Sequence, residues 1–300
     1  MLNAYIELLK SKGIRYKENA SLALLSSFQI GGLADLIVWT DSMEMLIFAI
    51  EQARKGGIKY RVIGNATNVL FADRGFDGVI IFTHYCRKVS MDGTRITAEC
   101  GASFTGLAST ACRNSLTGLE FAFGIPGSCG GAVVMNAGAY GGEVKDVLLS
   151  STCYDLSRGA IRILSGDDHK FDYRTSIYDK NHDLIVMDAT FELKNGEESV
   201  IHATMDAMMS SRRAKQPLDH PNAGSIFKRP EGHFAGKLIE DAGLKGYSIG
   251  GAQVSDKHAG FIVNKGDATA RDVLDLIELS RELVFAKFGV TLETEIKYVE

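Results

Sequence analysis

The stretch from Gly118 to Gly142, GLEFAFGIPGSCGGAVVMNAGAYGG, contains eight glycines in 25 residues, whereas the whole chain has 32 in 300. Glycine loses more backbone entropy on folding than any other residue, so this density needs a physical reason. One reason is a series of turns with positive φ. The other is a backbone that lies against a large flat ligand, whose diphosphate binds successive bare N–H groups. Composition alone leaves both alternatives open.

The composition is that of an ordinary globular protein, with 45% apolar and 23% charged residues. The net charge of −4 argues against a general nucleic-acid binder. Five widely spaced cysteines without a C-x-x-C pair indicate reduced thiols and offer no metal site. The N-terminus lacks the apolar core of a signal peptide, and no apolar run reaches the ~20 residues of a membrane span. We therefore expect a cytoplasmic protein with no metal, no membrane anchor and no nucleic-acid partner.

Hydrophobic patterning divides the chain into three segments. Residues 1–86 have an N-terminal helix, a strand, a helix capped by Asp41 or Ser42, and two more strands at 60–63 and 78–82. Residues 87–195 are rich in strands and contain the glycine stretch. Residues 196–300 alternate helices, such as ESVIHATMDAMMSSRRAK, with a few strands and end in the strand EIKYV. The sequence therefore predicts an α+β protein with boundaries near residues 86 and 195.

The turn Gly64-Asn65-Ala66-Thr67-Asn68 directly follows a predicted strand. A strand that runs into a small, polar turn can present N–H groups and hydroxyls to a phosphate. The turn matches neither the P-loop nor the dinucleotide-binding glycine pattern, so by itself it is also compatible with an ordinary turn.

A local excess of positive charge surrounds Ser225. Residues 210–230 contain one acid, Asp219, and five cations: Arg212, Arg213, Lys215, Lys228 and Arg229. This excess predicts an anionic ligand, although cations near a helix C-terminus are also common. The Ser225 hydroxyl, in a turn of small residues, is a candidate nucleophile, proton donor or turn cap.

Four further polar residues are candidates that no spacing rule identifies. Tyr173-Arg174 precedes a predicted strand, where such a pair usually packs on the surface. Alternation places Glu293 and Glu295 on one face of the predicted terminal strand, where carboxylates are usually solvated.

Eight stretches resemble one family in its own order, the UDP-N-acetylenolpyruvoylglucosamine reductases. They are SFQIGGLAD, GNATNVLFAD, GLEFAFGIPGSCGGAVVMNAGAYGGE, YRTS, PLDHPNAGSIFKRP, FAGKLIEDAGLKG, GGAQVSDKHAGFIVN and LETEIK. The resemblance runs from about Ser27 to Lys297 and is to the shorter type, without an extra tyrosine-bearing segment. One departure is Ala66-Thr67, where the family usually has Gly-Ser.

The resemblance implies a two-lobe FAD-binding unit of the vanillyl-alcohol-oxidase-like (PCMH) type followed by a C-terminal α/β substrate domain. The lobes are residues 1–86 and 87–195, and the substrate domain is 196–300. The expected FAD contacts are Gly64, Asn65, Ala66, Thr67, Asn68, Gly124, Ile125, Pro126, Gly127, Ser128, Gly130, Gly131, Asn136, Ala137, Gly138 and Ala139. The expected substrate contacts are Tyr173, Lys215, Lys228 and Arg229.

The implied reaction reduces UDP-N-acetylglucosamine enolpyruvate to UDP-N-acetylmuramate for peptidoglycan. NADPH gives a hydride to FAD, and the enolpyruvyl ether then takes the place of NADP in the same cleft and receives the hydride at its vinyl CH2 carbon. The match assigns Arg174 to the charge that develops, Glu295 to the opposite side, and Ser225 to proton donation. We expect a monomer.

Two other functions are compatible with part of the sequence. The chain could be a flavoprotein that oxidises a small alcohol or hydroxy acid, or a nucleotide-sugar-binding protein without catalysis. Reduction by NADPH and reoxidation by the enolpyruvyl sugar would distinguish the reductase from both.

Overall fold

The computed structural model describes all residues, Met1–Glu300, and divides into two compact units. The first unit comprises Met1–Lys17, Ile37–Asn65 and Val79–Ser211, and the second comprises Glu18–Leu36, Ala66–Gly78 and Arg212–Glu300. None of the helices has the length and apolar character that a membrane span requires.

The α-helices are α1 Leu2–Ser11, α2 Met43–Lys55, α3 Phe104–Arg113, α4 Cys129–Val134, α5 Ile177–Lys180, α6 Glu198–Lys215, α7 Ala235–Asp241 and α8 Ala270–Phe288. Short 3-10 helices lie at Ala23–Leu25, Glu120–Gly124, Val144–Asp146 and Gly166–His169. The strands are β1 Arg15–Ser21, β2 Leu33–Trp39, β3 Tyr60–Ile63, β4 Val69–Phe71, β5 Phe76–Phe82, β6 Val89–Asp92, β7 Arg95–Glu99, β8 Leu116–Thr117, β9 Gly138–Ala139, β10 Gly142–Glu143, β11 Leu148–Asp155, β12 Ala160–Ser165, β13 Leu184–Glu192, β14 Lys194–Asn195, β15 Asn222–Ser225, β16 Ser248–Ile249, β17 Ala252–Val254, β18 Phe261–Asn264 and β19 Lys297–Val299.

The first unit begins with the predicted β-α-β arrangement. The predicted cap of α2 is confirmed, because the Ser42 hydroxyl accepts a hydrogen bond from the Met45 amide at 3.2 Å. The Tyr5 hydroxyl of α1 donates to the Ala49 carbonyl of α2 at 3.0 Å, which joins the two helices. β3 pairs in parallel with β5, in a sheet of order β1-β2-β5-β3. The Gly64 turn therefore directly follows the edge strand of this sheet.

The remainder of the first unit is built on a five-stranded antiparallel sheet of order β12-β11-β13-β7-β6. Cross-strand pairing of Thr97 with Thr190 includes a hydrogen bond of 2.9 Å between their hydroxyls. Phe104 of α3 is fully buried, with its ring centroid 6.0 Å from Phe121 and 6.3 Å from Phe191. This aromatic cluster is the core beneath the glycine stretch.

The glycine stretch contains the expected turns with positive φ, and it also packs closely against the protein itself. Positive φ occurs at Gly118, Gly127 and Gly141. Elsewhere the close neighbour is the protein itself: a Cβ on Gly130 would lie 2.8 Å from the Cβ of Cys100, and one on Gly142 would lie 2.7 Å from the Phe121 ring. Close packing within the protein therefore explains why Gly130 and Gly142 have no room for a side chain.

The short helix α4 within that stretch did not follow from sequence reasoning. Its residues CGGAVV include two glycines, which are poor helix formers. The helix forms because Ser128 caps it and because the Cys129 and Gly130 amides donate to the Ala102 and Cys100 carbonyls, both at 2.8 Å. Those bonds are tertiary contacts, so the local sequence of α4 does not predict the helix.

The second unit has its core between α7, α8 and a sheet of order β15-β18-β17-β16. α8 starts with a capping box in which Thr269 and Asp272 each accept a hydrogen bond from the other's main chain. It buries Val273, Leu276 and Val284. This unit carries the Ser225 strand at one edge of its sheet.

The predicted terminal strand is wrong in its extent. EIKYV was expected to be a strand from Glu295, but β19 covers only Lys297–Val299, which pairs in parallel with β4. Glu293 and Glu295 precede it in an irregular segment, where Thr294 forms a single bridge with Phe227. Main-chain hydrogen bonds with residues 226–228 determine the conformation of this segment, and it does not extend the pairing of β19 with β4.

Gly130→Ala should lower the free energy of unfolding by about 1–3 kcal/mol, because its new methyl overlaps Cys100 in a closely packed core. The matched control is Gly131→Ala in the same helix, whose Cβ would meet only the Ser128 hydroxyl at 3.3 Å. That variant should stay within about 1 kcal/mol of the parent. Urea unfolding of the two proteins measures the difference, and equal losses would contradict the packing explanation.

Candidate active site

The turn Gly64–Asn68 and the glycine stretch meet at Gly64. A Cβ on Gly64 would overlap the Ser128 hydroxyl, which is buried and caps α4. Gly64 and Ser128, from two stretches that were predicted to bind one cofactor, are therefore neighbours in the first unit. Glycine at position 64 is required for this contact.

The turn presents bare N–H groups. The amides of Asn65 and Ala66 have no acceptor within their own units. Ala66 is buried and has φ of 48°, a left-handed conformation that costs a non-glycine residue roughly 1–2 kcal/mol. The Ser27 amide donates to the Ala66 carbonyl at 3.3 Å and helps to hold it there. A left-handed residue among unbonded amides is the geometry of an anion-binding concavity.

The amides at the start of α4 are already bonded. Cys129 and Gly130 donate to main-chain carbonyls, and Gly131 donates to the Ser128 hydroxyl at 3.3 Å. The expected contacts of Gly130 and Gly131 with a cofactor therefore cannot use their N–H groups. The amides without an acceptor are those of Asn65 and Ala66 in the Gly64–Asn68 turn.

Arg174 lies in a tight turn of the first unit with φ of 56°. Two main-chain hydrogen bonds between Asp172 and Thr175 close the turn. The Arg174 Nη2 donates to the Gly138 carbonyl at 2.7 Å, and its guanidinium carbon lies 5.1 Å from the centre of the Tyr173 ring. The cation is therefore held beside the hairpin β9–β10 of the glycine stretch.

Asn136, an expected cofactor contact, has no exposed surface. Its Nδ2 donates to Glu143 at 2.7 Å and to the Asp172 carbonyl at 3.1 Å, and its Oδ1 accepts from the Lys145 amide at 2.9 Å. All the polar atoms of this side chain are therefore bonded within the first unit.

Ser225 and Glu295 are brought together in the second unit by main-chain pairing. The Glu295 amide donates to the carbonyl of Ile226, the residue after Ser225, at 2.8 Å. The Asn68 Nδ2 donates to the Glu295 carbonyl at 3.2 Å, so the last residue of the Gly64–Asn68 turn contacts the same segment. The Ser225 side chain is half-buried, and its hydroxyl has no hydrogen-bond partner within its unit. This hydroxyl is free to donate to a ligand.

The cations near Ser225 differ in their pairing. Lys228 forms an ion pair with Glu293, which was expected to be solvated. The Arg229 guanidinium lies 4.0 Å from the centre of the Phe234 ring, and Lys215 is exposed at the end of α6. The charge of Lys228 is therefore matched by a carboxylate, whereas the Arg229 Nε donates to the His233 carbonyl at 3.3 Å.

A buried polar network lies behind the Arg174 turn and was not found from the sequence. The Ser151 hydroxyl is 2.7 Å from His169 Nε2 and 2.6 Å from the Tyr178 hydroxyl. The Gly166 carbonyl is 3.1 Å from His169 Nδ1, which assigns the imidazole proton to Nδ1. Burial lowers the pKa of His169 and raises that of Tyr178, so both groups are neutral near pH 7. No pattern in the sequence joins these three residues.

Two family models match the chain. Residues 34–165 match an FAD binding domain, and residues 216–299 match the C-terminal domain of UDP-N-acetylenolpyruvoylglucosamine reductase. The fold and this match define an FAD-dependent oxidoreductase, and they confirm the α+β class and the predicted type of FAD-binding unit.

Similarity to individual proteins extends over nearly the whole chain. A UDP-N-acetylenolpyruvoylglucosamine reductase of Clostridium novyi is 47% identical over 94% of this chain and 92% of its own length. One of Caldanaerobacter subterraneus is 50% identical over 91% of this chain and 90% of its own length. The crystal structure of the reductase from Thermus caldophilus, at 31% identity, covers 96% of this chain and 100% of that one with a TM-score of 0.82. The chain belongs to the UDP-N-acetylenolpyruvoylglucosamine reductase family.

The buried His169 predicts a pH dependence of stability. Its pKa in the folded protein is below the unfolded value of about 6.5. The unfolded state therefore binds the proton more readily, and stability should fall as the pH drops below about 6.5. His169→Gln should flatten this slope between pH 7 and 5 in thermal unfolding.

The exposed His182 supplies the control, since His182→Gln should keep the parent slope. Some slope should remain in His169→Gln, because burial also lowers the pKa of His258. An unchanged slope in His169→Gln would show that the imidazole is not the titrating group.

Proposed function

We propose that the chain reduces UDP-N-acetylglucosamine enolpyruvate to UDP-N-acetylmuramate, with NADPH as the electron donor. The observation that carries this proposal is the pairing that places Ser225 beside the Glu295 segment, with Asn68 of the phosphate-binding turn bonded to the same segment. Membership of the reductase family supports the substrate. We further propose that the enzyme acts as a cytoplasmic monomer in peptidoglycan precursor synthesis.

The residues present fit FAD, the cofactor of the matched domain. The free amides of Asn65 and Ala66, beside the left-handed backbone at Ala66, suit the diphosphate. The Thr67 hydroxyl and the Asn68 side chain add polar groups to the same turn. We propose that the other cofactor contacts come from Gly124, Ile125, Pro126, Gly127, Ser128, Ala137, Gly138 and Ala139.

FAD, when bound, supplies hydride transfer from NADPH to the vinyl CH2 carbon of the enolpyruvyl ether. The chain has to stabilise the negative charge that then develops on the neighbouring carbon and its carboxylate. A guanidinium held in a fixed place, as Arg174 is by the Gly138 carbonyl, meets this need without reorganisation. We assign Arg174 to this role.

Ser225 Oγ donates the proton that completes the reduction. A hydroxyl is a weak acid, but the enolate of a carboxylate is a strong enough base to accept its proton when the two are held close. The free Ser225 hydroxyl, at the end of β15 and beside Glu295, suits this transfer. We assign Glu295 to the opposite side of the reacting carbon, where its carboxyl group helps to orient the substrate.

The anionic parts of the substrate require cations away from the reacting carbon. We propose that Lys215 and Arg229 bind the diphosphate of the UDP moiety, with Tyr173 packing against the sugar and Lys228 at the margin of the site. NADPH and the sugar nucleotide, both of which carry a diphosphate, would use one cleft in turn. We retain residues 1–86, 87–195 and 196–300 as the proposed lobes and substrate domain.

The proposed function predicts two spectral changes in the purified yellow protein. Anaerobic NADPH should bleach the flavin absorbance near 450 nm, and UDP-N-acetylglucosamine enolpyruvate should restore it with formation of UDP-N-acetylmuramate. Both steps are followed by stopped-flow absorbance. Bleaching by a small alcohol instead of NADPH would favour an oxidase, and a protein that responds to neither would be a binding protein.

Ser225→Ala should separate the two half-reactions. Bleaching by NADPH should stay near the parent rate, while reoxidation by substrate should slow by at least ~10²-fold, the usual effect of a positioned proton donor. Ser248→Ala, at an exposed position of the second unit, is the matched control and should keep both rates. Equal slowing of both half-reactions by Ser225→Ala would mean that this hydroxyl has a structural role.

A further inference from the structure

Three hydrogen bonds join the segment 134–138 to the turn that carries Arg174. The Ser176 hydroxyl donates to the Val134 carbonyl at 2.7 Å, and Asn136 Nδ2 donates to the Asp172 carbonyl at 3.1 Å. Arg174 Nη2 donates to the Gly138 carbonyl at 2.7 Å. The three bonds involve every second residue of the segment 134–138 and reach residues 172, 174 and 176 of the turn. We propose that Asn136 is the positioning residue of Arg174, and that it fixes the guanidinium through the turn without touching the cofactor.

Asn136 donates to the Asp172 carbonyl, and this carbonyl is part of the turn that carries Arg174. The Asp172 carbonyl also accepts the hydrogen bond from the Thr175 amide that closes the turn around Arg174, at 3.2 Å. Loss of the Asn136 bond would therefore release the same carbonyl that sets the conformation of Arg174. Arg174 needs this support because its φ of 56° is unfavourable for a side chain of its size.

Asparagine suits this position for two independent reasons. Its φ is 42°, a left-handed conformation that asparagine adopts more readily than most residues. Its amide also offers the two donors that Glu143 and Asp172 accept and the one acceptor that the Lys145 amide needs. Aspartate would lose both donors and would place a second carboxylate beside Glu143. Both donors of the Asn136 amide are used within the protein, to Glu143 and to the turn that carries Arg174. This favours a role in holding that turn over a role in binding phosphate.

The carboxylate beside Asn136 is matched by a neighbouring lysine. Glu143 accepts a hydrogen bond from Asn136 at one carboxylate oxygen and forms an ion pair with Lys145 at the other. Both oxygens of Glu143 are therefore engaged, which fixes the acceptor of one Asn136 donor and leaves the second donor for the Asp172 carbonyl.

The inference rests on the proposed function for its kinetic test, and a second readout is independent of that function. Asn136→Gly keeps a residue that tolerates positive φ and removes only the side chain. In the FAD-loaded enzyme it should slow substrate reoxidation of the flavin by at least ~10-fold, because a small displacement of a catalytic group is costly. In an Arg174→Ala background, Asn136→Gly should slow this step by less than about 2-fold, since it acts through the missing guanidinium.

The independent readout is chemical labelling of arginine by phenylglyoxal, followed by peptide mass spectrometry. Asn136→Gly should accelerate the labelling of Arg174 relative to the exposed Arg113, whether or not the enzyme reduces the enolpyruvyl nucleotide. If the parent enzyme does not turn over this nucleotide, the proposed function is wrong. The labelling rate of Arg174 still tests the role of Asn136 in that case. The control is Asn19→Gly, which makes the same change at an exposed asparagine with φ of 46° and should label and react as the parent does.

Three results would overturn the inference. They are an equal slowing of reoxidation in both backgrounds, an unchanged labelling rate of Arg174, and loss of FAD from Asn136→Gly, which would make Asn136 a cofactor contact. If Asn136→Gly does not fold, Ser176→Ala tests the same set of bonds, because it removes the bond to the Val134 carbonyl. Ser176→Ala should then show both the dependence on Arg174 and the faster labelling, and the absence of either would overturn the inference.

Discussion

Buried backbone N–H and C=O groups need hydrogen-bond partners, and several groups of the glycine stretch find theirs in other segments of the chain. The amides of Cys129 and Gly130 bond to the segment after β7, and the Val134 and Gly138 carbonyls bond to the turn around Arg174. The glycine stretch is therefore hydrogen-bonded both to the segment after β7 and to the turn around Arg174. The helix α4, the hairpin β9–β10 and the position of Arg174 all depend on these bonds.

Three of the residues in the proposed site have strained backbone. Ala66, Asn136 and Arg174 all have positive φ, although none of them is glycine. Each such residue costs roughly 1–2 kcal/mol, so each needs surrounding bonds that hold it. Ser27 holds Ala66, and the bonds between residues 134–138 and 172–176 hold the other two. In the proposed function, this backbone presents amides to the diphosphate and the Arg174 guanidinium to the developing charge.

Local patterns predicted most of the regular elements, and they failed where tertiary contacts decide the backbone. The helix Glu198–Lys215 and the Ser42 cap follow directly from periodicity and capping chemistry. The helix α4 does not, because two glycines oppose it and distant carbonyls stabilise it. The alternation that suggested a strand at Glu293 and Glu295 is overridden by pairing with residues 226–228. The ion pair of Glu293 with Lys228, 65 residues apart in the chain, is equally invisible to local rules.

The sequence alone determined the class of the fold, the family and the identity of the candidate residues, because ordered stretches of glycines and polar turns are specific to their chemistry. It could not determine which of those residues face a ligand. Only the tertiary structure showed that the Gly130 and Gly131 amides and the Asn136 side chain are occupied within the protein, whereas the Asn65 and Ala66 amides are free. The physical reason is that most buried polar groups form hydrogen bonds in the folded protein, and their partners come from distant parts of the chain.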